Sequence, residues 1–272
     1  MFYLESKMNK IISALHFPWS NITECCEKVK TEYNLDGIEF SLDKSFNHPH
    51  LSADDYKMLP SLIDKFDIIA EGHIWENLAQ MGEASGTEAL LYWADICNKS
   101  GITGIVIHGG SCNDQMEGLK CTENILDKVV NVFEKKNIAL KLENHYAYNY
   151  KNCHELYSEP WEFESIFNLI DSPALQFCFD TGHGHMTHNG CELITALKNR
   201  LTHVHLADNH GINDDHCPYR KGSVPWDSYF QTLTDMKYDK NFCVEFPLFD
   251  STEPFYACIK DIDRLFLSPI LY

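Results

Sequence analysis

Eight short apolar runs, each followed by a segment with helical spacing, most constrain how this chain can fold. Alternating apolar and polar residues are typical of a strand, and apolar residues three or four apart are typical of a helix. Strands that alternate with helices predict a parallel sheet with crossover helices. At 272 residues, a single-domain α/β fold over residues 1–272, the closed (β/α)8 TIM barrel, is the simplest solution, and an open doubly wound sheet is the alternative.

The segments follow one another without a linker rich in Gly, Pro or Ser. The predicted strands cover residues 10–17, 37–42, 67–75, 101–108, 138–145, 175–183, 203–206 and 241–248. The predicted helices cover residues 21–33, 52–65, 85–99, 121–136, 160–170, 190–199, 226–236 and 254–267. The long polar and aromatic loop over 146–159 is expected to form a lid or rim.

In six predicted strands, one face carries polar side chains towards its C-terminal end, while the other face is apolar. In a barrel the polar face points inward, and the C-terminal strand ends form the mouth where ligands bind. The same pattern of inward polar residues in six strands indicates a binding site, because the fold alone does not require it. The residues are Glu71, His73, His108, Glu143, Asp180, His205 and Glu245.

The stretch from Thr202 to His216 holds four histidines and three aspartates in fifteen residues. Val204 and Leu206 alternate with His203 and His205, so this strand has an imidazole face that is costly to bury without a partner. A divalent metal is the obvious candidate, because neutral imidazole and carboxylate are its usual ligands. His203 lies one pleat deeper, where a core histidine is favoured over a ligand.

Four of these polar residues, Glu143, Asp180, His205 and Glu245, end the fifth to eighth strands, which are neighbours around a barrel. Three carboxylates this close would repel one another in the absence of a cation. One divalent ion would relieve that conflict, and oxygen-rich ligation with one imidazole suits Mn, Mg, Co or Zn equally well. The alternative is that some of these side chains are merely hydrogen-bonded polar strand ends.

The composition limits the classes of binding partner that this chain is expected to have. The net charge is -18, from 22 basic against 40 acidic residues, which argues against nucleic acid and against an anionic membrane surface. No apolar run reaches the ~18 residues of a membrane span, and the first residues lack a signal pattern. Eleven cysteines without a C-x-x-C pair indicate reduced thiols, so a cytoplasmic protein is expected.

Four motifs carry a resemblance to a known family: L-E-N at 142–144, D-T-G-H at 180–183, H-V-H-L-A-D-N at 203–209 and V-E-F at 244–246. With them the chain resembles the xylose isomerase-like barrel superfamily, which includes sugar epimerases, sugar isomerases and apurinic endonucleases. The resemblance implies a metal-dependent isomerase or epimerase with a small sugar substrate. It also implies a homodimer, because the barrels of this family are often dimeric. It implies Glu143, Asp180, His205 and Glu245 as metal ligands, and Glu143 and Glu245 as the acid/base pair.

The same resemblance implies that further side chains contact the substrate: His73, His108, His183, Asp214 and His216. Apurinic endonucleases hold three zinc ions with extra ligands at matching places, so an abasic-site nuclease is an alternative. A dehydratase or lyase and a non-catalytic sugar- or metal-binding barrel are further alternatives. Arg220 and Lys221, where relatives carry a glycine-rich segment, are expected either to meet an anion or to lie in a solvated loop. Trp19 and Trp75 are expected either to line the sugar-binding site or to pack in the core.

Overall fold

The computed structural model describes residues 8–43, 50–147, 149–150 and 153–267. Its strands are β1 (Asn9–Ser13), β2 (Gly37–Ser41), β3 (Ile69–Ile74), β4 (Gly104–Ile107), β5 (Ser111–Cys112), β6 (Ala139–Glu143), β7 (Asn149–Tyr150), β8 (Cys153–Glu155), β9 (Leu175–Asp180), β10 (Leu201–Leu206) and β11 (Asn241–Val244). Its helices are α1 (Ile22–Thr31), α2 (Ala53–Phe66), α3 (Leu78–Met81), α4 (Glu83–Ser100), α5 (Gln115–Lys136), α6 (Pro160–Leu169), α7 (Thr181–Thr187), α8 (Gly190–Ala196), α9 (Trp226–Asp235) and α10 (Glu253–Ile262), which continues into a π-helical turn at Asp263–Leu267.

Eight parallel strands close into one barrel in the order β1-β11-β10-β9-β6-β4-β3-β2. Closure is made by β1, which pairs with β11 on one side and with β2 on the other. The predicted closed barrel is therefore confirmed, and the open sheet is excluded. Because all eight strands run the same way, their C-terminal ends meet at one mouth.

Several helices begin after a residue whose side chain accepts from a free backbone N–H of the first turn. Helix α5 was expected from residue 121 but begins at Gln115, because Asp114 Oδ1 accepts from the backbone N–H of Glu117 at 3.0 Å. Its buried face, which includes Leu126, Val129 and Phe133, packs against the outside of the barrel as its spacing predicts. The main apolar core therefore lies between strands and helices.

Strand β9 is shorter than the expected 175–183. It ends at Asp180, whose Oδ1 accepts from the backbone N–H of His183 at 2.6 Å and so starts helix α7. The capping hydrogen bond satisfies a backbone N–H of the first helical turn, so the helix begins where the strand ends. His183 consequently lies on the first turn of a helix that follows the strand.

The rim loop over 146–159 contains two short strands that the sequence did not predict. Strand β8 pairs antiparallel with β5 and with β7, forming a small sheet in the order β5-β8-β7. Ala147 N donates to Thr187 Oγ1 at 2.8 Å, which ties the loop to α7. Residues 148, 151 and 152 of this loop lie outside the described residues.

The barrel interior contains charged side chains below the mouth. Lys141 Nζ lies 2.8 Å from Glu71 Oε1, and both side chains are buried. Gly104 on the intervening strand makes room for this pair, since a Cβ there would lie 2.9 Å from Lys141 Cε. This layer lies beneath the polar residues of the mouth.

Two further findings concern the whole described chain. No helix in the described ranges is long and apolar enough to cross a membrane. The eleven cysteines all lie within those ranges, and each is a free thiol.

Candidate metal centre and active site

The four residues expected to bind a metal all lie buried at the mouth of the barrel. Glu143 is the last residue of β6 and Asp180 the last of β9, while His205 lies in β10 and Glu245 follows β11. The strand alternation that turns their apolar neighbours outward turns these side chains inward. Their burial leaves three carboxylates close together at low solvent exposure.

Two of the four residues, Glu143 and Glu245, contact the imidazole of a third, His205. Nδ1 of His205 lies 3.0 Å from Glu245 Oε2 and 3.2 Å from Glu143 Oε1. Burial favours the protonated form of Glu245, but His205 outweighs it and lowers the pKa of that carboxyl. The carboxylates of the two glutamates thus approach the same nitrogen of His205, one from the end of β6 and the other from just after β11.

Asp180 lies beside this group. Its Oδ1 accepts from the His183 backbone, whereas its Oδ2 is buried with no hydrogen-bond partner among the described residues. Burial raises the pKa of Asp180 to about 7; His183 opposes that rise, and the charges of Glu143 and Glu245 add to it. Asn144 holds the backbone of Asp180 in place, because its Oδ1 accepts from the backbone N–H of Asp180 at 2.7 Å.

Two of the predicted substrate residues, His73 and His108, contact the opposite oxygen of Glu143. Their Nε2 atoms lie 3.2 and 3.0 Å from Glu143 Oε2 and 3.1 Å from each other. Burial disfavours charge on His73, but Glu143 and Glu39 raise its pKa to about 9. Burial lowers the pKa of His108.

The remaining predicted residues form a third group around Asp214. Its Oδ2 lies 3.3 Å from Nε2 of His183 and 3.3 Å from Nε2 of His216. Nδ1 of His216 lies 2.8 Å from the carbonyl oxygen of Glu245, which connects this group to β11. Against the effect of burial, Asp214 and then Glu245 raise the pKa of His216 to about 10. All nine predicted site residues are therefore brought together.

Sequence reasoning missed Glu39 in β2, which is fully buried inside the barrel. Its Oε2 lies 3.1 Å from Nε2 of His205 and 3.2 Å from Nε2 of His203. The alternation of Ile38 and Phe40 around Glu39 was the available signal. His203 itself, expected in the core, is buried next to Glu39 and Lys141.

Rings line one side of the mouth. Trp75 stacks on His73 with centroids 4.0 Å apart, and His145, which the sequence did not suggest, stacks on His183 at 4.7 Å. His16 stacks on His216 at 5.5 Å. Trp19 instead packs against the core, where its indole N–H donates to Ala14 O at 2.8 Å.

Arg220 and Lys221 do not join the site. Arg220 pairs with Asp227 at 2.6 Å and lies 3.6 Å from Asp261, both on the helical side of the barrel. Lys221 is exposed, and its backbone N–H donates to Pro218 O at 2.9 Å. The expectation that they meet an anion in the site is therefore not supported, and the solvated-loop alternative fits their positions.

The side chains at the mouth suit a divalent metal ion. Glu39, His73, His205 and Glu245 each offer a ligand atom within 4.8 Å of the others, as do His73, His108 and Glu143, and as do His16, His216 and Glu245. The unpartnered Oδ2 of Asp180 adds a buried carboxylate oxygen that lacks a counter-charge. Nitrogen and oxygen donors of this kind are those that transition-metal ions and Mg²⁺ take in proteins.

The fold and the site together define an α/β barrel with a candidate metal centre at its C-terminal mouth. The chain belongs to the xylose isomerase-like TIM barrel family, whose model matches residues 28–258. The family expected from the sequence motifs is thereby confirmed.

Solved structures with the same fold are sugar epimerases and related proteins. A D-tagatose 3-epimerase-like protein has a TM-score of 0.78 at 23% identity, covering 95% of this chain and 98% of that one. A D-allulose 3-epimerase from Methylomonas sp., solved with D-allulose, has a TM-score of 0.73 at 16% identity, covering 96% and 91%. An uncharacterized protein of Methanocaldococcus jannaschii is 26% identical over 250 residues, which cover 86% of this chain and 82% of the relative.

Proposed function

We propose that this chain is a divalent-metal-dependent epimerase or isomerase that acts on a ketose derived from a sugar or polyol. The observation that carries the proposal is the convergence of Glu143 and Glu245 on Nδ1 of His205 from two separate strands. Inversion of a carbon by removal of its proton on one face and return on the other can use such a pair of carboxylates around one bound ligand. The structural neighbours named as ketose 3-epimerases support the same substrate class.

We assign the metal to Glu143, Asp180, His205 and Glu245, one divalent ion of the Mn, Mg, Co or Zn group. When bound, such an ion would polarise a substrate carbonyl and its neighbouring hydroxyl, which lowers the cost of removing the adjacent proton. We assign proton transfer to the same two glutamates, although Oε2 of Glu143 also contacts the ring nitrogens of His73 and His108.

The two glutamates then act as the general base and the general acid. One carboxylate takes the carbon-bound proton, and the other returns a proton on the opposite face, which inverts that carbon and is an epimerisation. If the same carboxylate returns the proton to the adjacent carbon, the result is an aldose–ketose isomerisation. We assign His183 to hydrogen-bond the substrate oxygen; its Nε2 lies 3.3 Å from Oδ2 of Asp214.

The other histidines and Asp214 would orient the sugar. His73, His108 and His216 present ring nitrogens around the same opening, and Trp75 offers a ring face beside His73. Holding the reacting carbon between two fixed carboxylates supplies much of the rate in such reactions.

The deciding experiment is solvent exchange. Free and phosphorylated ketoses are incubated with the protein and Mn²⁺ in deuterium oxide, and NMR follows deuterium entry at carbon. We expect exchange with wild type and its loss, by at least about 100-fold, in Glu245→Gln and in Glu143→Gln. Glu162→Gln is the matched control, because Glu162 is equally buried but caps α6 away from the mouth. Exchange that survives in Glu245→Gln contradicts the acid/base assignment.

A second candidate is a three-metal hydrolase of abasic nucleic acid. Two groups favour it: His73, His108 and Glu143 form a ligand cluster of their own, and Asp214 joins His183 to His216. The net charge of -18 weighs against a nucleic-acid substrate. About three zinc ions per chain by elemental analysis, with nicking of an abasic duplex, would establish this activity; one ion and ketose exchange would establish the first.

A further inference from the structure

Glu39 has no part in the reaction described above, yet it lies at the centre of the polar residues inside the barrel. Its carboxylate is fully buried and faces three imidazoles. Oε2 lies 3.2 Å from Nε2 of His203 and 3.1 Å from Nε2 of His205, and Oε1 lies 3.3 Å from Nδ1 of His73. A buried carboxylate with this many ring nitrogens around it holds the rings in defined orientations.

The layer below Glu39 decides which nitrogen of His203 carries the proton. Lys141 Nζ lies 2.8 Å from Glu71 Oε1 and 3.2 Å from Nδ1 of His203. An ammonium group can only donate hydrogen bonds, so Nδ1 of His203 must accept. The proton of a neutral His203 therefore lies on Nε2, which faces Glu39.

The same reasoning extends upward to His205. A carboxylate only accepts hydrogen bonds, so the hydrogen bond of 3.1 Å between Oε2 of Glu39 and Nε2 of His205 requires a proton on that nitrogen. With Nε2 protonated, the ring nitrogen of His205 that can offer a lone pair is Nδ1. That nitrogen is the one that faces Glu143 and Glu245.

We propose that Glu39 is a positioning residue which, supported by Lys141 and His203, fixes Nδ1 as the metal-binding nitrogen of His205. The inference rests on the proposed function to the extent that His205 is taken as a metal ligand. A carboxylate that accepts the second ring N–H of a metal-bound histidine fixes its tautomer and orientation and raises its basicity. Oε1 of Glu39 also lies 3.3 Å from Nδ1 of His73.

The first test measures the tautomer directly in the wild-type protein. Protein with ¹⁵N-labelled histidine is loaded with diamagnetic Zn²⁺, and two-dimensional NMR reads the two ring nitrogens of His205, assigned by their loss in His205→Gln. We expect a proton retained on Nε2 and a metal-shifted Nδ1. A metal-shifted Nε2, or a proton on Nδ1 in the loaded protein, overturns the proposal.

The second test measures metal affinity by competition with a chelator. Glu39→Gln, whose neutral amide oxygen is a weaker acceptor than a carboxylate, should weaken Mn²⁺ binding by about 10- to 100-fold. Glu39→Asp keeps the carboxylate and should recover part of that loss. Glu162→Gln removes an equally buried carboxylate outside the site and should bind Mn²⁺ as wild type does. Unchanged affinity in Glu39→Gln overturns the proposal.

The two proposals fail in different ways. If the ketose exchange assay is negative while Nδ1 of His205 binds Zn²⁺ and Glu39→Gln weakens the site, the reaction is wrong and the positioning role stands. If exchange is present while Nε2 carries the metal, the positioning role is wrong and the reaction stands. Should Glu39→Gln fail to fold by circular dichroism, the measurement on the wild-type rings still decides.

Discussion

Nδ1 of His205 lies 3.0 Å from Oε2 of Glu245, deep in the mouth of the barrel. Burial disfavours a charge on this ring, but Cys178 and then the carboxylates of Glu245, Glu39 and Glu143 raise its pKa well above the ordinary value. Without a metal, His205 therefore keeps a proton at the point where we propose that the cation binds. A cation and a proton compete for one nitrogen.

We therefore expect Mn²⁺ binding to release protons and to strengthen as pH rises. The sign follows from the raised pKa: below it the ring is protonated, and each pH unit further down weakens binding by up to about tenfold for each displaced proton. Isothermal titration calorimetry at pH 6.5, 7.5 and 8.5 (approximate settings), in buffers of different ionisation enthalpy, counts the protons. His210→Gln, an exposed histidine, is the control. Affinity that does not change with pH would contradict the competition.

Asp180→Asn should stabilise the metal-free chain and weaken metal binding. Burial and the neighbouring carboxylates raise the pKa of Asp180 to about 7, so the folded state loses stability as pH rises from about 4 to about 7. Asparagine removes that charge and keeps Oδ1 as the acceptor for His183 N. In EDTA at about pH 8, urea unfolding should show a gain of at least about 1 kcal/mol.

The control for Asp180→Asn is the same measurement with saturating Mn²⁺. There the wild type should be the more stable protein, because the bound ion stabilises the folded state only to the extent that it binds. A variant that is less stable than wild type in both conditions would show that Asp180 contributes through its cap and hydrogen bonds alone.

The sequence was sufficient to place Glu143, Asp180, His205 and Glu245 at one mouth. Two regularities did this: the period of two identifies the inward face of each strand, and closure brings all C-terminal strand ends together. The end of β9 was misplaced by three residues, because Asp180 caps α7 and a capping hydrogen bond is invisible to periodicity. The β5-β8-β7 sheet was missed because strands of two or three residues carry no period.

The interior pairs could not be predicted from local pattern. Glu39 showed the same alternation as the predicted ligands, but it lies within β2 and not at the strand end, so it did not stand out. Lys141 and Glu71 are on strands two apart, with β4 between them. Their pairing depends on the registers of three strands, which the sequence leaves undetermined.

His203→Gln should remove part of the acid sensitivity of the fold. Burial and the charge of Lys141 lower the pKa of His203 to about 3. The unfolded chain binds a proton below about pH 6.5 while folded His203 does not, so stability falls by up to about 1.4 kcal/mol per pH unit from 6.5 towards 3. Glutamine can still accept from Lys141 and donate to Glu39. Urea unfolding in EDTA at about pH 7.5, 6.5 and 5.5 measures the difference; parallel pH curves for both proteins would contradict it.

Gly104→Ala should destabilise the chain by disturbing a buried ion pair. A Cβ at Gly104 would meet Oε2 of Glu71 and would lie 3.1 Å from Nζ of Lys141. The ends of both side chains must shift, and complete loss of the buried pair sets an upper bound of about 3–5 kcal/mol on the cost. Glu71→Asp shortens the carboxylate and withdraws it from the new methyl group, so in that background the cost of Gly104→Ala should fall by about 1 kcal/mol or more. Urea unfolding of the four proteins tests this, and equal costs in the two backgrounds would show that the methyl group is instead opposed by the backbone of the neighbouring strands.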